Sequence, residues 1–204
     1  MKTEEPKIAY LEAMKLTERE NLRNGEFENE SAAGLEIRDC TIDSCVFHNI
    51  DFSEAQLVSC DIVDTVFEKC DLSNQVFDER YLNRVRFVEC RLVGVSFINA
   101  SLKNVVFESC NARYINLAGA KLNTVRVSNS DFSNMSLLET GLKKTEFSKS
   151  NLRRSEIYHT PMAGIDVSGC NIEEIAADLD SLKGIVIDTL QMSDVIGLLG
   201  IKVK

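Results

Sequence analysis

From Phe67 to Phe107 the chain reads FEKCDLSNQVFDERYLNRVRFVECRLVGVSFINASLKNVVF, with Phe and Leu alternating at every fifth position over nine consecutive positions. A helix repeats its buried face every 3.6 residues and a strand every two, so neither produces this pattern. A square coil does, if each block of five is one side and four sides close a coil of about 20 residues. Working outward, the register starts at Leu22, passes through Phe27 and Ala32, and is firm from Ile37. It continues through Phe147, Leu152, Ile157, Met162, Val167 and Ile172, and closes at Ala177, Leu182 and Ile187. All ten Phe lie in this one register, and all seven Cys lie two residues before it.

The physical consequence is a stacked coil. The register position points inward and is large; the core register includes Phe67, Leu72, Phe77, Phe87, Leu92, Phe97, Leu102 and Phe107. The position two before it also points inward and is small, and the other three face water. Coils stacked at the ~4.8 Å strand spacing put residues 20 apart into columns, and Ile37 to Ile187 gives a rod of roughly 36 Å. The fold class expected is all-β: a right-handed quadrilateral parallel β-helix. Gln75 and Arg80 are large for inward positions and predict a local bulge near 75–81. Each coil buries its face only against its neighbours, so both ends need caps. Residues 1–21 predict an N-terminal capping helix, with Pro6 near its start and Ile8, Ala9, Leu11 and Met14 on its apolar face. Residues 22–187 are the β-helix. Residues 188–204 predict a helix capped by Asp188 or Thr189 and ended by Gly200, then a short strand at Ile201 and Val203.

Bulk properties narrow the function classes. A formal net charge of -9 argues against direct nucleic-acid or anionic-membrane binding. No stretch reaches the ~18 apolar residues of a membrane span, and the N-terminus shows no apolar leader run. The odd number of Cys follows the repeat rather than a disulfide or zinc spacing, which suits a reducing cytoplasm. Only two His occur, His48 and His159, both at outward positions more than five coils apart. No phosphate-binding or nucleophile-elbow motif is present. The expectation is a protein without catalytic residues, cofactor or metal, and not an enzyme.

Blocks such as CDLSN (70–74), ASLKN (100–104), SDFSN (130–134) and SNLRR (150–154) resemble the A-(D/N)-L-x-x unit of pentapeptide-repeat proteins. That resemblance implies the right-handed quadrilateral β-helix. The run LKGIVIDTLQ…LGIKV is similar to the end of the quinolone-resistance repeat proteins of the Qnr and MfpA type, at Gly184, Asp188, Gln191, Leu199, Gly200, Ile201 and Val203. The resemblance implies a homodimer through the C-terminus, with Leu190, Val195, Ile196, Leu198, Leu199, Ile201 and Val203 at its interface. It also implies a DNA-mimic rod that binds DNA gyrase or topoisomerase IV and modulates quinolone sensitivity. The alternative is a generic protein–protein scaffold with no topoisomerase role. Two features pull toward it: the register never shifts between Leu22 and Ile187, so the loops of many Qnr proteins are missing, and the middle of the chain is basic.

Charge is segregated along the chain. Residues 37–78 carry nine acids against two bases, 79–155 thirteen bases against six acids, and 156–187 six acids against one base. With a C-terminal dimer the last segment would lie at the rod centre. There Asp166, Glu173, Glu174, Asp178 and Asp180 are the expected acidic partner-binding residues. Among the bases, Lys103, Lys121, Lys143 and Lys144 share a face with Arg84, and they read as a solvated surface or, alternatively, as a contact for an acidic patch on a partner or for nucleic acid directly.

Overall fold

The structure, a computed structural model, describes residues 2–16 and 22–198. Its strands are β1 (Glu12–Ala13), β2 (Gly25–Glu28), β3 (Glu36–Arg38), β4 (Thr41–Asp43), β5 (Val46–His48), β6 (Gln56–Val58), β7 (Asp61–Glu68), β8 (Tyr81–Val88), β9 (Ser101–Glu108), β10 (Lys121–Ser128), β11 (Gly141–Ser148), β12 (Glu156–Ile157) and β13 (Ala176–Ala177). Two short helices follow, α1 (Leu179–Leu182) and α2 (Met192–Gly197), the second entered through a 3-10 turn at Thr189–Gln191. All pairing is parallel, and from β7 onward each strand meets the residue 20 positions away, as in Phe67 with Phe87 and Phe87 with Phe107. The nine-stranded sheet runs β1-β2-β5-β7-β8-β9-β10-β11, with β4 beside β7. This is the parallel β-solenoid expected from the period of five.

The four sides of a coil are not equivalent. Two adjacent sides merge into one eight-residue strand in β7 to β11, while the other two are turns joined by isolated bridges such as Asp71–Arg91 and Val76–Ser96. Local side-chain chemistry explains much of the difference. Where a side opens with Asp or Asn, its side chain accepts the amide two residues on: Ser53 N–H donates to Asp51, Ser73 to Asp71, Ser133 to Asp131 and Glu173 to Asn171, at 2.9–3.0 Å. These Asx turns draw the backbone out of the extended conformation. A four-residue turn then closes, Gln75 N–H to Leu72 O and Met135 N–H to Phe132 O. Its third residue is left-handed, Asn74 and Asn134 at φ 60°. That is the type II requirement. Four of the five long strands open instead with Tyr81, Ser101, Lys121 or Gly141; the fifth, β7, opens with Asp61, whose carboxylate accepts the Tyr81 amide of the next coil (2.8 Å) instead of closing an Asx turn.

The core follows the register. Phe67, Leu72, Phe77, Phe87, Leu92, Phe97, Leu102 and Phe107 are all buried. Phe27, Phe47, Phe67, Phe87 and Phe107 form one column with ring centroids 4.9–5.2 Å apart, stacked nearly parallel. The Cys column fills the position beside it, with Cys90 Sγ bonded to Phe67 O and Cys110 Sγ to Phe87 O, both 3.3 Å, while nearer the N-terminal end the Cys40 and Cys60 sulfurs lie 3.2 Å apart. Burial pushes the Cys110 thiol up to about 11 and Cys45 likewise. The bulge expected at 75–81 does not form. Gln75 is buried, and its Nε2 donates to Phe52 O (2.8 Å) and Ala55 O (2.9 Å), carbonyls of the preceding coil. Arg80 reaches the surface and donates to Asp78 O. A carboxamide thus satisfies the polar groups that its size brings inside.

The two ends of the long sheet differ. The N-terminal helix expected over 1–21 is absent over residues 2–15, which run extended. Helical geometry in that segment is confined, among the described residues, to Leu16. The amides of this strap are claimed by the rod. Glu12 N–H donates to Asn24 O and Met14 N–H to Glu26 O, adding β1 as a rung on β2. Lys7 N–H donates to Asp64 Oδ1 (2.7 Å) and Glu4 N–H to Asn104 Oδ1 (3.4 Å). Three residues from Lys7 to Glu4 span two coils, about 10 Å on either count. At the other end the sheet stops at β11. Ser101, Lys121 and Gly141 each open a long strand by donating an amide to the carbonyl 21 residues earlier, at 2.8–2.9 Å. The next such position is Pro161, which has no N–H to give.

Candidate interaction surfaces

The C-terminal cap is built from Asp188 and Gln191. Asp188 accepts the amides of Leu190 (2.8 Å) and Gln191 (3.2 Å), and Gln191 Oε1 accepts the amide of Asp188, a complete capping box. Gln191 also turns its Nε2 inward to Val167 O (2.9 Å) and Cys170 O (2.7 Å), the task that Gln75 performs mid-rod. The expected cap at Asp188 is therefore present. The expected interface residues divide. Val195 and Leu198 pack on the core, Ile196 is half-buried, and Leu190 is 88% exposed. Leu199, Ile201 and Val203 lie outside the described residues, as does the expected Gly200 terminator. Met192, Leu179 and Val186 join Leu190 as exposed apolar side chains of this end. Sequence reasoning missed these three, because an exposed side is legible only once the cap's rotation is known.

The acidic residues 166–180 are on the surface, and each is engaged locally. Glu174 takes Arg154 Nε (2.5 Å) and Arg153 Nη2 (3.0 Å), and Glu173 lies 3.3 Å from Arg153 Nε. Asp180 meets Lys183 Nζ (2.6 Å), and Asp166 accepts Ser168 N–H and Oγ–H. Asp178 accepts the His159 amide (2.6 Å) and caps α1 through Ser181, and these bonds hold its carboxyl down at about 2. The arginines lower Glu174 in the same way. The second predicted His is equally local: His48 sits between coils, 3.2 Å from Glu68 and 3.8 Å from Glu26. Strand pairing sets Glu28, His48 and Glu68 in one alternating column. Glu26, Glu28 and His48 offer carboxylate and imidazole atoms within 4.8 Å of one another, a donor set that suits a divalent ion and equally suits a ladder of opposite charges.

The basic middle splits as well. Arg84 forms a two-point pair with Asp64 (2.5 and 2.6 Å), and the pair is largely buried. Burial opposes the Asp64 charge, but Arg84 and the Lys7 amide outweigh it and its pKa falls. Arg86 bridges Glu5 of the strap and Glu108, both 3.1 Å. Lys103, Lys121, Lys143 and Lys144 are exposed, and among the described residues they form no ion pair. Beyond the strap a groove of about 680 Å³ opens, lined by Lys2, Glu4, Asn104, Thr124, Leu142, Lys144, Thr145 and residues 163–165.

Two family models match the sequence, one described as a pentapeptide repeat region over residues 60–131 and one as pentapeptide repeats in eight copies over residues 37–74. Residues 37–131 are thus a pentapeptide-repeat region, and the chain has the parallel β-solenoid of that repeat. Among curated proteins none matches it in sequence. Solved structures similar to this pentapeptide-repeat rod include trypsin-treated QnrB1, a plasmid-mediated fluoroquinolone resistance protein. It is 20% identical with a TM-score of 0.47, and the match covers 89% of each chain. A pentapeptide repeat protein of the Arabidopsis thaliana thylakoid lumen is 17% identical over 48% of this chain and 68% of its own, with a TM-score of 0.44. HetL, a protein involved in heterocyst differentiation regulation from the cyanobacterium Nostoc, is 16% identical over 82% of this chain and 89% of its own, with a TM-score of 0.32. No helix among the described residues is long and apolar enough to cross a membrane.

Proposed function

We propose that this protein is a non-enzymatic interaction rod, a protein–protein scaffold of the pentapeptide-repeat type that pairs with a second copy through its C-terminal end. The observation that carries this reading is the pairing of Leu190 and Met192, 88% and 50% exposed, on a cap whose polar groups are already satisfied. Apolar surface of that kind is covered when two such ends meet. Light scattering on the full chain tests it. A dimer is expected, and the L190E/M192E variant should run as a folded monomer. A monomeric unmodified chain removes the dimer.

The topoisomerase reading is the finer alternative. A DNA mimic presents carboxylates to a basic saddle, and Asp166, Glu173, Glu174 and Asp180 are exposed at this end. Their ion pairs and hydrogen bonds reduce the charge they can show, so the scaffold reading expects gyrase supercoiling to be unchanged by rising protein, with or without a quinolone. Inhibition of supercoiling would restore the DNA-mimic reading.

A further inference from the structure

We propose that Cys40 and Cys60 are a modification site: a thiol pair that a hydroperoxide oxidises to a disulfide, stapling one coil of the rod to the next near its N-terminal end. The inference goes beyond the scaffold reading and does not depend on it. The two sulfurs lie 3.2 Å apart. Strand pairing holds the backbone in register on both sides of them, with Arg38 opposite Val58 and Thr41 opposite Asp61. Asp61 N–H donates to Cys40 O (3.1 Å) and Asp39 N–H to Val58 O (2.9 Å). Cys40 is thus set opposite Cys60 at the rung spacing of about 4.8 Å. That separation falls inside the Cα window of roughly 4.4–6.8 Å that a disulfide requires. Small side-chain rotations close the remaining gap to the S–S length of about 2.05 Å.

Access and packing single this pair out. Six of the seven Cys are buried, and Cys40 is half-buried. Cys70, Cys90 and Cys110 also stack 20 residues apart, but all three are buried and their thiols are bonded to the carbonyls of Phe47, Phe67 and Phe87. In the Cys40 column the residue after Cys60 is Arg80, whose side chain leaves for the surface, so no third thiol competes. Exposure also assigns the roles. Cys40 is the sulfur that a hydroperoxide reaches. Its thiolate attacks the peroxide, the O–O bond breaks, and Cys40 becomes a sulfenic acid while the other oxygen leaves as water or alcohol. The Cys60 sulfur then attacks the sulfenic sulfur. The S–S bond forms, the S–O bond breaks, and the departing hydroxyl takes the Cys60 proton to leave as water, so two electrons pass from the thiol pair to the peroxide. Burial, and after it the Cys40 sulfur, push the Cys60 thiol up to about 12. Cys60 therefore stays protonated until the sulfenic acid stands beside it, which suits the resolving partner rather than the first one oxidised. Excess thiol reopens such a bond, as with the transient disulfides of reducing compartments.

The test treats the folded full chain with hydrogen peroxide, then denatures it, alkylates free thiols with iodoacetamide and reads the products by mass spectrometry. Alkylated thiols should fall by two from the seven of the untreated chain, with fragment spectra joining Cys40 to Cys60. Dithiothreitol before alkylation should restore all seven. C60S should stop at a Cys40 sulfenic acid that dimedone labels, C40S should leave every remaining thiol alkylatable, and C90S should close the bond as the unmodified chain does. Seven alkylated thiols after peroxide overturn the proposal. So does a bond between any other two Cys or between two chains, or a Cys40 sulfinic acid formed while Cys60 stays free. These readings come from the unmodified chain, so they hold even if a variant fails to fold.

Discussion

The two halves of the rod have the same repeat and different surfaces. In the N-terminal half the strap covers the outward column, so Asn83 and Asn104 are buried and Arg84 has a carboxylate beneath it. In the C-terminal half the equivalent positions are Asn123 and Thr124, half-buried, then Lys143 and Lys144, exposed. The inward residue changes in step: Leu82 and Leu102 are fully buried and Leu142 is not. A solenoid repeats its core, but what its face can bind depends on which coils another piece of chain has already covered.

The sharpest way to break this comparison is in the core. Phe87→Ala empties the stacked Phe column under the covered half and should cost about 3–5 kcal/mol in chemical denaturation. Leu142→Ala, at the half-exposed inward position of the open half, should cost about 1–2 kcal/mol. Equal losses would mean that both halves are packed alike. Next comes the strap. Asp64→Ala leaves Arg84 without its buried partner and removes the acceptor of the Lys7 amide, at a cost of about 3 kcal/mol. It should also speed trypsin cleavage after Lys7 and Lys15. An unchanged cleavage rate would mean that the strap is held elsewhere.

The smallest effect lies at the C-terminal end. Asp178 titrates near 2 in the folded rod, below the ordinary carboxylate value of about 3.9. Its contribution is therefore complete above about pH 4 and is lost as pH falls toward 2. Hydrogen exchange of α1 should quicken over that window, and D178N should flatten the dependence. A dependence that persists in D178N would place the acid sensitivity at another carboxylate.

Much of the fold was legible because a period of five with Phe, Leu and Cys in two fixed phases admits one burial pattern. Gln75 was not, since its size suggests a bulge and only the carbonyls of Phe52 and Ala55 explain its place inside. The turn sides could have been read in part from the Asp and Asn at 51, 71, 131, 151 and 171, which set Asx turns, whereas Asp61 opens the long strand β7 because its carboxylate is taken by the Tyr81 amide of the next coil. The five acids at 166–180 were legible as a cluster and not as a network, because Arg153 and Arg154 reach them from the preceding coil.

By itself the sequence determined the register, the buried columns, the cap at Asp188 and the segregation of charge, because each depends on residues close along the chain or on a strict repeat. Tertiary structure alone decided the path of the N-terminal strap, the pairing of the surface charges and the stop at β11. Those follow from contacts such as Lys7 with Asp64 and Glu4 with Asn104, 57 and 100 residues apart. A short polar segment has no periodicity of its own to announce such partners. Its amides are satisfied wherever the folded rod presents an acceptor.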